Sequence, residues 1–78
     1  MLTTKEFIRE VEKLGLVATV DRGRIQIENS EGHAVACIDV TTMCVLDATY
    51  YFGFRELSEF DRKRLLDLLV KSELFGGN

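Results

Sequence analysis

The chain has no proline and no tryptophan, and only one histidine and two cysteines among its 78 residues. Without proline it has no stiff extended spacer and no fixed kink, so nothing marks a boundary between domains. Cys37-x6-Cys44 with a single histidine falls short of the ligand count of a closed zinc site. No apolar run approaches the ~18 residues of a membrane span. Met1-Leu2-Thr3-Thr4-Lys5-Glu6 is polar where a secretory leader would turn apolar. These absences predict a chain of a reducing cytoplasm with free thiols, no metal, no other cofactor and no membrane contact.

What is present fits one small folded unit. Hydrophobic residues at 46% and charged residues at 29% exclude disorder and fibrous repeats. A chain this short buries only ~60% of its unfolded surface, which makes residues 1–78 a single domain with a thin stability margin. The net charge of −3 has the wrong sign for a dedicated nucleic-acid binder. Residues 1–14 and 55–78 are each neutral, so the whole excess lies between them, on Asp21, Glu28, Glu31, Asp39 and Asp47 against Arg22 and Arg24. That acidity is too mild to argue for DNA mimicry.

Hydrophobic period organises the chain. Thr3-Thr4-Lys5-Glu6 has the spacing of a capping box, and Phe7, Ile8, Val11 and Leu14 make one helical stripe behind it. This predicts a helix over 4–14 closed by Gly15. Leu16–Val20 is β-branched and apolar, Asp21-Arg22-Gly23 is a turn, and Arg24–Glu28 alternates with Ile25 and Ile27 inward. Asn29-Ser30-Glu31-Gly32 turns the chain into His33–Val40, whose apolar run predicts a central strand covered on both faces. Met43–Thr49 is expected to form a softer fourth strand, which would set Cys37 and Cys44 side by side as free thiols. Ser58 caps a leucine-rich helix over 59–73, and residues 74–78 read as a frayed tail. The expected fold is α+β, α-β-β-β-(β)-α, an antiparallel meander with both helices on one face. The apolar arc of Leu65, Leu66, Leu68, Leu69 and Val70 spans roughly 200°, and with the open sheet edge it predicts a homodimer.

Few residues offer chemistry. No Ser/His/Asp or Cys/His spacing surrounds His33, which reads as a surface residue beside a turn. The carboxylates are scattered among opposite charges, and Gly23 and Gly32 belong to hairpin turns rather than to a phosphate-cradling loop. No catalytic residue is assigned, and the chain is read as no enzyme. Tyr50, Tyr51, Phe52 and Phe54, followed by Arg55, are the remaining cluster. Tyrosine and arginine are favoured at interfaces because each gives large contact area with a polar handle. Either all four rings close the core, or one side of the cluster stays exposed; period-two alternation would bury Tyr50 and Phe52 or else Tyr51. Tyr50, Tyr51, Phe54 and Arg55 are the candidate partner-binding residues. Phe52-Gly53-Phe54 shares letters with an RNA-recognition strand, but that fold needs a βαββαβ order.

Thr4-Lys5-Glu6-Phe7-Ile8, Leu14-Gly15-Leu16, Ala34-Val35-Ala36, Thr49-Tyr50 and Phe54-Arg55-Glu56-Leu57-Ser58, with the closing helix Lys63–Val70, form a pattern. It resembles small phage and prophage proteins of low-GC Gram-positive bacteria. Those proteins continue past the last helix with Thr-Pro and a basic residue, whereas this chain reads Leu74-Phe75-Gly76-Gly77-Asn78. The resemblance implies an accessory protein of the bacterial host cytoplasm and transfers no activity. The functional expectation is a protein–protein interaction module acting on a host, phage or defence factor. The alternative is a nucleic-acid-associated protein using Arg55, Arg62, Lys63 and Arg64 within 50–64, with stacking on Tyr50 or Tyr51.

Overall fold

The computed structural model describes residues 2–73, and its first helix starts where the capping spacing puts it. The Glu6 amide donates to Thr3 Oγ1 at 3.2 Å while the Thr3 amide donates to Glu6 Oε1 at 2.9 Å. Such a cap contributes about 1 kcal/mol. Helix α1 (Thr4–Glu12) stops short of the expected Leu14. The amides of Leu14 and Gly15 reach back only to Val11 and Glu12, in tighter turns. Gly15 takes φ +83°, the left-handed conformation expected of a glycine after a helix.

Strands β1 (Val17–Asp21) and β2 (Arg24–Glu28) form a hairpin through Arg22 and Gly23. Both turn residues have positive φ, 52° and 77°, which gives the two-residue turn whose twist suits a hairpin. On β2 the predicted alternation holds: Ile25 and Ile27 are buried, and Arg24, Gln26 and Glu28 are exposed. Strand β3 (Ala34–Asp39) pairs with β2, and β4 (Thr49–Tyr50) completes a four-stranded antiparallel sheet in the order β1-β2-β3-β4.

Two expectations need correction. Strand β3 does not simply alternate between two covered faces, although Cys37 on its outer face is buried too. Its register slips between Ile27 and Glu28, so Val35 is an extra residue and buries with Ala36 in the core. Of the paired β3 residues, Cys37 shares the outer face with Gln26, whose amide donates to Cys37 Sγ at 3.3 Å. The second correction concerns Met43–Thr49, of which only Thr49 enters a strand. Asp39 Oδ1 accepts from the Thr41 amide and hydroxyl at 2.8 and 2.6 Å, and that turn redirects the chain. Met43 follows with φ +49° and plugs into the core, and a single 3-10 turn (Val45–Asp47) leads to β4. Cys44 therefore lies on no strand. Thr49 stands opposite Cys37, and both cysteines are free.

A short helix α2 (Phe52–Arg55), not foreseen from sequence, joins β4 to α3 (Glu59–Ser72). Ser58 caps α3 through the Asp61 amide, as its spacing predicted. Helices α1 and α3 lie side by side on the inner face of the sheet. Phe7 and Val11 meet Leu65, Leu68 and Leu69 over Ile25, Ile27 and Ile38. Each such side chain contributes about 1.5–3 kcal/mol by burial. The broad leucine arc of α3 is thus largely consumed by the sheet and α1; Leu66 is half-buried and Val70 is exposed. The helix ends are tied together by the Leu2 amide donating to the Lys71 carbonyl at 2.9 Å and by an Arg64–Glu10 ion pair at 3.4 Å. The expected frayed tail, 74–78, lies outside the described residues.

Candidate functional site

The aromatic run Tyr50–Phe54 begins on a strand and ends on a helix, and that change of period decides which rings are free. Tyr50 lies opposite Ala36 on the inner face. Its ring packs on Phe54 with centroids 5.0 Å apart, and its hydroxyl donates to the Val45 carbonyl at 2.9 Å. Burial, with Cys44 nearby, pushes the Tyr50 hydroxyl above its ordinary value. These two rings are half-buried and close the core.

The Tyr51 amide donates to the Val35 carbonyl at 2.9 Å, one residue past the end of β4. There the chain turns into α2. Phe52 is consequently 70% exposed and Tyr51 41% exposed. Alternation would have put Phe52 inside with Tyr50, but alternation stops where the helix starts.

Three contacts hold α2 in place. Gly53 lies directly against the backbone of Ala34 and His33. Arg62 Nη1 donates to the carbonyls of Leu57 and Arg55 at 2.7 and 3.2 Å, satisfying acceptors at the end of the helix. Glu56 Oε1 accepts from Asn29 Nδ2 at 3.2 Å and lies 2.7 Å from His33 Nδ1, which ties the β2–β3 turn to α2.

Tyr50, Tyr51, Phe54 and Arg55, the four residues singled out from sequence, line one open cleft of about 460 Å³ together with Phe52. Phe52 is the residue sequence reasoning left out. The cationic side chains divide differently from the sequence expectation. Arg62 is committed to carbonyls, Lys63 pairs with Glu59 at 3.5 Å, and Arg64 pairs with Asp67 at 3.3 Å and with Glu10. Among the described residues, Arg55 alone of these four has a guanidinium or ammonium without such a partner. The cleft therefore offers two exposed rings and one uncommitted cation. Among the described residues no three His, Cys, Asp or Glu side chains gather as metal ligands, and no helix is long and apolar enough to cross a membrane.

The His33–Glu56 pair makes the seating of α2 pH-dependent. The Glu56 hydrogen bond and charge, with Glu31 adding, raise His33 above its usual 6.5 against a small desolvation effect. His33 thus holds its proton more tightly in the folded state than in the unfolded one. The stabilisation is therefore fully present below the ordinary histidine value and is lost as pH rises through the raised one. The melting temperature of the wild type minus that of Glu56→Gln should be largest near pH ~6 and narrow toward pH ~9. A gap that stays flat over this range would remove the pairing from solution.

Protein-family models, curated proteins and solved structures give no match to the chain.

Proposed function

We propose that this is a non-enzymatic, phage-type accessory protein that works in the bacterial cytoplasm by protein–protein contact, seating a host or defence factor on the aromatic cleft. The observation that carries the reading is the exposure of Phe52, 70% open to solvent on a helix held by three sets of contacts. A large apolar ring fixed outward costs solvation free energy with no return inside the fold, and rigid aromatic anchors with a neighbouring arginine are what interface centres use. Tyr51 supplies a second ring with a hydroxyl handle, and Arg55 supplies a charge that favours an acidic or carboxylate-bearing partner.

Affinity capture from infected cells, followed by titration calorimetry on the captured partner, tests this. Tyr51→Ala and Phe52→Ala should each weaken binding about tenfold or more, with melting temperatures close to wild type. Tyr50→Ala should instead lower the melting temperature, because its ring and hydroxyl serve the core. Undiminished binding by both surface variants would sink the cleft as the partner site.

A second reading keeps one supporting observation, the unpaired Arg55 beside Tyr51 and Phe52. It assigns the region 50–64 to nucleic acid through stacking and phosphate contact. Oligonucleotide affinity that falls steeply with salt would favour it. A partner affinity that falls only slightly with salt, as a single ion pair at Arg55 would give, would favour the protein-contact reading.

A further inference from the structure

Strand β1 is one of the two edge strands of the sheet and carries no device that blunts an edge. It has no proline, no lysine and no bulge, and its pairing with β2 runs without a slip from Val17↔Glu28 to Asp21↔Arg24. Its single charge, Asp21, sits at its end. Val17 and Val20 are half-exposed, at 50% and 53%.

The hairpin fixes which main-chain groups are free. A two-residue turn makes Asp21↔Arg24 a hydrogen-bonded pair, and such pairs alternate along an antiparallel ladder. Val17, Thr19 and Asp21 thus bond β2. Ala18 and Val20 aim their N–H and C=O groups outward.

We infer that β1 is a self-association edge: two copies of this chain pair their β1 strands antiparallel about Thr19 into one continuous eight-stranded sheet, twice the four of a single copy. In this register Ala18 of one copy faces Val20 of the other, and all the outward groups of both residues are bonded. A slip of two residues one way would set Ala18 against Arg22 in the hairpin turn, and the other way would set Val20 against Leu16, outside the strand. The side chains agree with it row by row. On the core face, Ile27 and Ala18 of one copy continue into Val20 and Ile25 of the other, covering the half-exposed valine. On the outer face, Gln26 and Thr19 continue into Thr19 and Gln26. The last row runs Glu28, Val17, Asp21, Arg24, so no two like charges are neighbours and each Asp21 keeps its own Arg24.

The other surface that sequence suggested for a dimer, the arc of α3, is largely filled from within. This edge is independent of the aromatic cleft, and its test does not depend on finding the cleft's partner.

Sedimentation equilibrium on the full chain should show a monomer–dimer equilibrium. Val20→Lys places a charge on the core face of the seam and should raise the dissociation constant about tenfold or more, with an unchanged circular dichroism spectrum. Thr19 pairs with itself across the axis at a non-hydrogen-bonded position, where Cα atoms are about 4.5 Å apart, within disulfide range. In a Cys37→Ala, Cys44→Ala background, which leaves no thiol opposite position 26, Thr19→Cys should therefore give a disulfide-linked dimer on mild oxidation. Gln26→Cys should not, because three strand spacings, about 14 Å, separate its two copies. A wild-type chain that stays monomeric up to about 1 mM, a dimer indifferent to Val20→Lys, or equal cross-linking at 19 and 26 would overturn the inference. Should Val20→Lys lose its fold, the cross-linking pair decides alone.

Discussion

Ile27→Asp is expected to leave the chain without a cooperative unfolding transition. Ile27 is fully buried between Ala18 and Ala36 on the inner face of the sheet. A carboxylate there meets no described hydrogen-bond donor, and burying one unpaired costs about 4 kcal/mol or more. That equals most of the 3–5 kcal/mol a core of this size supplies. Urea titration followed by circular dichroism should give a sloping line instead of a sigmoid. Ile25→Asp should behave the same way. Gln26→Asp, between them in sequence but on the open face, should cost less than about 1 kcal/mol. Equal tolerance at 26 and 27 would mean that the strand is turned over by one residue.

The next largest effect is expected from adding a single methyl group at Gly53. A Cβ there would overlap the Ala34 carbonyl oxygen and come within 2.9 Å of its carbon and 3.2 Å of the His33 oxygen. All three atoms are backbone, and a strand cannot step aside as a side chain can. Alanine improves helix propensity by about 1 kcal/mol, but the overlap outweighs it, for a net loss of about 2 kcal/mol. The melting temperature of Gly53→Ala should fall by about 10 °C. Helix α2 would lift from β3 and carry Phe52, Phe54 and Arg55 with it. The variant should therefore also lose the pH-dependent difference produced by Glu56→Gln. A rise in melting temperature would show that α2 does not rest on β3.

The elements legible in the sequence are those whose period is set locally. Thr3 and Glu6 mark the start of α1, Ile25 and Ile27 alternate on β2, and Ser58 marks α3. What escaped depends on tertiary contact. Met43 has the hydrophobicity of a strand residue, but it reaches the core from a left-handed turn set up by Asp39 and Thr41. Gly53 looks like a helix breaker, and only the approach of Ala34 explains a glycine inside α2. The candidate site was partly legible because Tyr50, Tyr51, Phe54 and Arg55 are close in sequence and of interface type. Phe52 was missed because a strand pattern was carried one residue too far. Glu56 and His33 are 23 residues apart, and no sequence pattern relates them. Arg62 looked like a cation for a ligand, whereas it closes the end of α2.

The bond from the Leu2 amide to the Lys71 carbonyl gives the fold the connectivity of a closed ring. The polypeptide enters and leaves the described domain at one place. Grafted into a surface loop of another protein, the domain would hang from a single point and leave the loop's ends together. A circular permutant that joins the two ends and opens at Ser30-Glu31, in an exposed turn, would keep every inner-face contact while reversing which helix is synthesised first.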